Sequence, residues 1–362
     1  MGVHPEGGLN PASNLPGQDR TRLGIVVNPM SGRDVRRVAA KASTSGHHEK
    51  QQQVTRLVLG AFAQGVEEIF LANEPFRINS RAVENLPQKD QVTMLDFPLT
   101  HSAADTETMV LKMWDAGCRV FIVLGGDGTN RIVAKTLPDS IILPLSTGTN
   151  NVFPTFVEAS VAGAAAGLIA SGKMHHQEFC KRCKQIHVCQ PVGSPVKGSA
   201  NPSADKHDLA LIDAVLLEND HPGSLLPFKA ENISTVLLTR AEPASVGVSP
   251  IGGYLLPSHH RDDFGVFIKC KAPALSGQKG KTITVPISPG LYDQVHVHHI
   301  QKTKLDEKVT MTGPGILALD GDRTISLGNQ TKATLVVRRD GPWIIETPFV
   351  MNSAAELGLF ES

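Results

Sequence analysis

Net charge is the first thing this chain lacks: its lysines and arginines number 35 and its aspartates and glutamates also 35. That balance argues against nucleic acid as a partner, which calls for a basic surface, and offers no polybasic run for docking on an anionic membrane. Long apolar runs are missing too. None approaches the roughly 20 residues of a membrane-spanning helix, and no membrane association is expected. Residues 1–20 carry glycine, proline and polar groups without the apolar stretch of a secretory signal, so they are expected to be a disordered leader. Cysteine is scarce and odd in number, five in 362 residues. A disulfide framework is therefore not expected, and reduced thiols in a cytoplasm are the simplest account. No internal repeat is found, and no lysine occupies a P-loop position.

What is present centres on Val120-Phe121-Ile122-Val123-Leu124-Gly125-Gly126-Asp127-Gly128-Thr129-Asn130. Five apolar residues predict a buried parallel strand, the glycines a tight turn, and the following Arg131-Ile132-Val133-Ala134-Lys135 a helix. Strand, glycine turn and helix present free backbone N–H groups to a phosphate. A Cβ at these glycines is expected to block both a φ > 0 turn and the close approach of ligand oxygens. Asp127 stands where a carboxylate can hold hydrated Mg²⁺ against a polyphosphate or accept a proton. Plain strand-to-helix punctuation is the competing reading.

At this length two domains are expected. Leu23-Gly24-Ile25-Val26-Val27 predicts a first strand, broken by Asn28-Pro29-Met30-Ser31-Gly32. The carboxyl end of a first strand is where α/β folds bind ligands, so the Asn28 amide and Ser31 hydroxyl are candidates to meet nucleotide phosphate. An Asx or Ser cap before a helix over residues 34–38 is the alternative. Helices are predicted over 49–63, 103–116 and 159–170, the last made of small residues suited to close packing, and strands over 68–71, 92–97 and 141–145. The 141–145 strand ends in Ser146-Thr147-Gly148-Thr149-Asn150-Asn151, a second glycine-bearing polar loop expected to face the same crevice. Alternating strands and helices at this spacing mean a doubly wound parallel sheet. From about residue 177 short alternating runs at 185–188, 210–216, 265–269 and 281–285, with frequent Pro and Gly, predict an antiparallel β domain.

Together these loops resemble the superfamily that unites NAD kinases with diacylglycerol and sphingosine kinases. Its hallmark is Gly125-Gly126-Asp127-Gly128-Thr129, and Asn28-Pro29-Met30-Ser31-Gly32 looks like its first loop. Thr239-Arg240-Ala241-Glu242-Pro243, Val285-Pro286-Ile287-Ser288-Pro289 and Leu319-Asp320-Gly321-Asp322 fall in the order of NAD-kinase β-domain signatures. Within the superfamily the chain is similar to the ATP-NAD kinase-like acetoin catabolism protein X branch, through Ser146-Thr147-Gly148-Thr149-Asn150-Asn151-Val152-Phe153-Pro154 and Arg240-Ala241-Glu242-Pro243.

The resemblance implies an α/β nucleotide-binding domain over 21–158 and a β-rich acceptor-binding domain over 159–345. Residues 346–362 would then return to the first domain. It implies ATP and Mg²⁺ as donor and metal, a small hydroxyl compound as acceptor, with NAD to NADP foremost, and a homo-oligomer linked to acetoin catabolism. Asp127 would bind the metal or act as base. Gly125, Gly126, Gly128 and Thr129 would line the phosphates, and Gly148, Thr149, Asn150 and Asn151 would complete the nucleotide site. Two stretches depart from NAD kinases: Asn150-Asn151 replaces an Asn-Glu pair, and Pro243-Ala244-Ser245-Val246-Gly247 replaces a Thr-Gly-Ser stretch. A lipid kinase of the diacylglycerol type and a non-catalytic nucleotide-binding regulator are the alternatives.

Asp322 resembles the acid of the lipid kinases' Asp-Gly-Glu and is a second catalytic candidate; hairpin chemistry is its competing explanation. Arg131 or Lys135 is a candidate source of positive charge, against a solvated helix face. Cys180-x-x-Cys183 with Cys189 and His187 is weighed as a zinc site against free thiols. His296 and His298 share a strand face and are weighed as ligands against a polar surface.

Overall fold

The computed structural model describes residues 20–31, 46–147, 151–189, 207–219, 229–270, 280–321 and 323–361. Gly148, Thr149, Asn150, Asp322, the leader and the 34–38 helix lie outside them.

Five strands build the frame of the first half: β1 (Arg22–Val27), β2 (Glu68–Ala72), β3 (Val92–Leu95), β4 (Val120–Gly125) and β5 (Ile141–Ser146). They pair in parallel in the order β3-β2-β1-β4-β5. Side chains alternate between two cores, as a period of two requires. Val120, Ile122 and Leu124 join the core under α1 (His47–Ala63) and α5 (Ala159–Ala170), whereas Phe121 and Val123 join the core on the other face. Between them in sequence come α2 (Ile78–Val83), α3 (Ala103–Asp115) and α4 (Asp127–Thr136). The small residues of α5 serve the close packing: a Cβ on Gly163 would stand 2.3 Å from the Leu57 carbonyl oxygen of α1.

Beyond α6 (His176–Phe179) the chain turns antiparallel, as the doubly wound plus β-rich reading expects. Its strands are β6 (Lys181–Arg182), β7 (Gln185–Cys189), β8 (His207–Ala210), β9 (Asp213–Leu217), β10 (Ile233–Leu238), β11 (Phe264–Cys270), β12 (Lys281–Ser288) and β13 (Leu291–Lys304). There follow β14 (Lys308–Thr312), β15 (Gly315–Leu319), β16 (Arg323–Leu327), β17 (Lys332–Arg338) and β18 (Trp343–Ile344); the helices are α7 (Ser249–Gly253) and α8 (Thr347–Glu356). One sheet runs β12-β13-β11-β10-β9-β15-β16 and a smaller one β14-β17-β7-β8. They pack on a shared core that includes Val188, Leu216, Leu317 and Leu335.

Two features depart from the sequence expectation. The run 210–216 is not one strand: Leu211 and Ile212 break it, because their N–H groups donate to the Asp320 carboxylate instead of a ladder. Those two side chains enter the second core of the parallel sheet and so lock the two halves together. Next, β18 adds to β5 in parallel and β6 adds to β18 antiparallel, so the first sheet recruits strands from far along the chain. Each is two residues long and carries no periodic signal. Val350 and Ala354 of α8 enter the core under α1 and α5.

Candidate active site

Strand order reverses between β1 and β4, and an open α/β sheet leaves a crevice outside its carboxyl ends at that point. Both predicted loops meet there. The Asn28 backbone N–H donates to the Leu124 carbonyl (3.1 Å) and its side-chain Nδ2 donates to Thr129 Oγ1 (2.8 Å). Asn28 Oδ1 accepts from the N–H of Met30 (2.9 Å) and Ser31 (3.2 Å), and the Ser31 hydroxyl donates to the Asn28 carbonyl (2.8 Å). The first loop is thus an Asx turn latched onto the second, with the Asn28 amide occupied by that role.

Underneath lies a residue the sequence reading passed over. Lys50 is fully buried, and its Nζ donates to the carbonyls of Asn28 (3.1 Å), Pro29 (2.7 Å) and Ser31 (2.6 Å). A buried ammonium satisfied by three carbonyls pins the loop in one shape. The signal was available: Lys50 continues the Val54, Leu57, Ala61 stripe of α1 one turn earlier.

The second loop is tighter than expected. α4 begins at Asp127 itself, with Gly126 as its N-cap, so Gly128 and Thr129 belong to the first helical turn. Their N–H groups are among those a helix leaves without intrahelical partners. The expectation of positive φ is corrected: Gly126 has φ −96°, and none of the loop's glycines is left-handed. Close approach is what excludes a side chain. A Cβ on Gly125 would meet Thr129 Cβ at 2.7 Å, and one on Gly126 would meet Asn151 Oδ1 at 3.0 Å.

Asp127 is half-buried. Its Oδ1 accepts from the Phe153 N–H (2.9 Å) and its Oδ2 from the Val152 N–H (3.2 Å). Desolvation nevertheless raises its pKa to about 6, with the nearby Asp320 adding to the rise and the two hydrogen bonds opposing it. A carboxyl near neutrality at the mouth of a helix N-terminus suits a proton acceptor or a metal ligand. Asn151 Nδ2 donates to Ser146 Oγ (2.9 Å), which joins the end of β5 to the same loop. The Thr147 hydroxyl beside it is buried with no hydrogen-bond partner among the described residues. An orphaned hydroxyl, free helix N–H groups and a carboxylate fit a metal-bound nucleotide phosphate.

The turn between β15 and β16 contributes Asp320; the predicted Asp322 lies outside the described residues. The Asp320 carboxylate accepts from the N–H groups of Leu211 (3.0 Å) and Ile212 (2.8 Å) and pairs with Arg131 of α4 at 3.5 Å. Arg131 thus ties α4 to the β-rich half. Lys135 is exposed on the last turn of α4. Around the exit of β10 lie basic side chains that sequence spacing could not show, Arg240, Lys184 and Arg339, with the neutral imidazole of His260 among them. Lys184 Nζ donates to the carbonyls of His259 (3.1 Å) and Phe264 (2.7 Å), and burial first, then Arg339 and Arg240, lower its pKa to about 7. Burial and the same cations push His260 down to about 3.

The other candidates fall elsewhere. Cys180 and Cys183 are buried, and desolvation pushes both thiols to about 12. Among the described residues no three His, Cys, Asp or Glu side chains are placed to hold a metal. His187 bonds to Asp340 (3.0 Å), and His296 and His298 lie half-buried on β13, far along the chain from the crevice. No helix among the described residues is long and apolar enough to cross a membrane.

Comparison with known proteins agrees with this layout. Residues 23–174 match the ATP-NAD kinase N-terminal domain, and residues 199–340 the acetoin catabolism protein X C-terminal domain. Among solved structures, a Bacillus anthracis str. Sterne protein bearing a provisional diacylglycerol kinase name superposes with TM-score 0.44 at 12% identity, covering 91% of this chain and 99% of that one. An NAD kinase from Archaeoglobus fulgidus, solved in complex with ATP, gives TM-score 0.36 at 14% identity, covering 79% and 96%. Neither score reaches 0.5, so the residue assignments rest on this chain's own geometry. Acetoin catabolism protein X of Cupriavidus necator is 30% identical over 349 residues, 94% of either chain. The chain belongs to the acetoin catabolism protein X family.

Proposed function

We propose that this protein transfers the γ-phosphoryl group of ATP to a hydroxyl of a small nucleotide-type acceptor, with NAD to NADP as the reaction to test first. The observation that carries the reading is Asp127. It is a carboxyl with its pKa raised to about 6, at the first turn of a helix, in the crevice where the strand order of the parallel sheet reverses. The match of residues 23–174 to an ATP-NAD kinase N-terminal domain supports the choice of donor and acceptor.

In an in-line transfer the acceptor oxygen forms a bond to phosphorus as the bond to the bridging oxygen breaks, and that electron pair leaves with ADP. The protein's tasks are alignment, charge neutralisation and removal of one proton. The N–H groups at the start of α4, together with Gly125 and Gly126, leave room for phosphate oxygens. Asp127 takes the acceptor's proton or holds the metal. A divalent ion such as Mg²⁺ would supply charge neutralisation to the phosphates there, with Asp127 as the carboxylate that would hold it. Lys50, Asn28 and Thr129 keep the two loops in register.

The test is NADP formation by the purified protein with Mg²⁺, ATP and NAD, read with an NADP-specific dehydrogenase, beside Asp127→Asn. Product that falls about 1,000-fold or more in the variant supports the reading. ATP binding without any product from NAD removes NAD as acceptor and leaves a regulator or another hydroxyl compound. Absence of ATP binding removes the reading altogether.

A further inference from the structure

Arg131 and Arg240 are both buried, and Arg240 acts on the charge of Asp127. Arg131 is neutralised by Asp320. Arg240, where the chain leaves β10, is not: it is 9% exposed, yet its guanidinium makes no hydrogen bond and no ion pair to any described residue. The ring of Phe153 lies against it, 5.0 Å from Cζ to the centroid. Phe153 is also the residue whose N–H donates to Asp127. An aromatic face attracts a cation but accepts none of the five N–H bonds a guanidinium offers in its planar fork.

The carboxylates around Arg240 act on it without touching it. Glu242, Asp127 and Glu346 each favour its charge, but burial outweighs them and lowers its pKa. Glu242 is engaged by His259 Nδ1 (3.0 Å) and Glu346 by Arg261 (2.5 Å). Beside Arg240 stands His260, 8% exposed, with its Nε2 buried and without a partner among the described residues. After burial, Arg240 is the largest influence holding that imidazole neutral. A buried cation with an unfilled fork is unfavourable in the absence of a ligand, and such a group persists where an anion completes it.

We propose that Arg240 is a phosphate-binding residue of the Asp127 site, its fork taking a phosphate oxyanion and His260, in its Nε2–H tautomer, standing by as a second neutral donor. The charge that a P-loop lysine would bring on the helix after the glycine turn arrives here from the opposite half of the molecule. Phosphate is preferred over carboxylate on the strength of the phosphoryl-transfer reading, on which the inference rests to that extent. The oxyanion has two sources, the triphosphate of the donor or the pyrophosphate of the acceptor.

The test is calorimetric binding to the full chain, with and without Mg²⁺, of ATP, inorganic tripolyphosphate, NAD and adenosine, in wild type, Arg240→Met and Arg240→Lys. The methionine variant is expected to lose about 10- to 100-fold in affinity for phosphate-bearing ligands, as for a charge-assisted bond, with adenosine unaffected. The lysine variant should fall between, since it keeps the charge and loses the fork. Its thermal midpoint without ligand is the second readout. Removal of an uncompensated buried charge should raise the midpoint of Arg240→Met, whereas a structural arginine would lower it.

Loss confined to ATP and tripolyphosphate identifies the donor phosphate, and loss confined to NAD the acceptor; either supports the proposal. Unchanged affinities, or a lowered midpoint with adenosine binding lost in parallel, overturn it. NADP formation with undiminished kcat/KM in Arg240→Met would also overturn it while leaving the transfer reading intact. Conversely, affinity losses in the Arg240 variants of a protein whose wild type makes no NADP would uphold Arg240 as a phosphate ligand and remove NAD as the acceptor.

Discussion

Asp127 and Asp320 are the same residue in similar surroundings, and the molecule uses them in opposite ways. Both follow a buried strand, both carboxylates accept backbone N–H bonds, and each lies in the other's field. The Asp320 side chain is wholly enclosed and has Arg131 beside it. Asp127 keeps a route to solvent, and among the described residues no cation stands within ion-pair distance of it. The difference teaches that partners, not the turn sequence, decide whether an aspartate is structural or chemical. A satisfied carboxylate holds two halves together; an under-compensated one is left with a raised pKa and something still to bind.

Substitution at the two sites should separate them. Asp127→Asn is expected to lower phosphoryl transfer by about 1,000-fold or more with the fold intact, measured as kcat/KM beside a thermal scan. Asp320→Ala should do the reverse. It removes an ion-pair partner of buried Arg131 and leaves three backbone donors unmet, a loss of about 3–5 kcal/mol in urea unfolding. Equal effects of both variants on stability would erase the contrast.

The pH dependence sharpens it further. Asp127 holds its proton to about pH 6 in the folded chain, against an ordinary 3.8. Between those values the folded state binds a proton that the unfolded state has released, so this group's contribution falls as pH rises and stays low above about 6. Asp127→Asn should therefore gain on the order of 1–2 kcal/mol over wild type at pH 8, with a narrower gap at pH 5. Transfer by the wild type should rise through an inflection near 6. A smaller effect is expected of Gly126→Ala, whose Cβ would press on Asn151 Oδ1 at 3.0 Å: a loss of roughly 3- to 10-fold in nucleotide affinity by isothermal titration. Least of all, Lys135→Met on the exposed end of α4 should change kcat/KM by less than about twofold.

Much of this was readable along the chain, and the boundary is physical. β4, the glycine loop and α4 declare themselves because apolar runs, glycine and helical spacing are local signals. The helix starts at Asp127, four residues ahead of the Arg131 that spacing suggests, because a short N-terminal turn resembles a loop in sequence. Lys50 was overlooked because a lysine on an apolar stripe has meaning only when carbonyls lie above it. Arg131 was considered a source of charge for phosphate, and its partner Asp320 is 189 positions away (320 − 131), beyond any spacing rule. Arg240 was noticed as a family signature and not as a cation, since its lack of partners is a property of space. Gly148, Thr149, Asn150 and Asp322 lie outside the described residues, so their proposed roles await the binding experiments.

The position of β18 has a consequence for how the protein is made. β5 finds its outer neighbour, Trp343 and Ile344, only after about 200 further residues have been synthesised. At about 5–20 residues per second, the ribosome leaves that flank of the nascent sheet open for roughly 10–40 s. An open parallel edge bearing Ile141 and Ile142 is what a neighbouring nascent chain would pair with. Vectorial synthesis thus makes this chain a natural client for chaperones that shield unfinished β edges, and makes its yield sensitive to translation speed across the β-rich half.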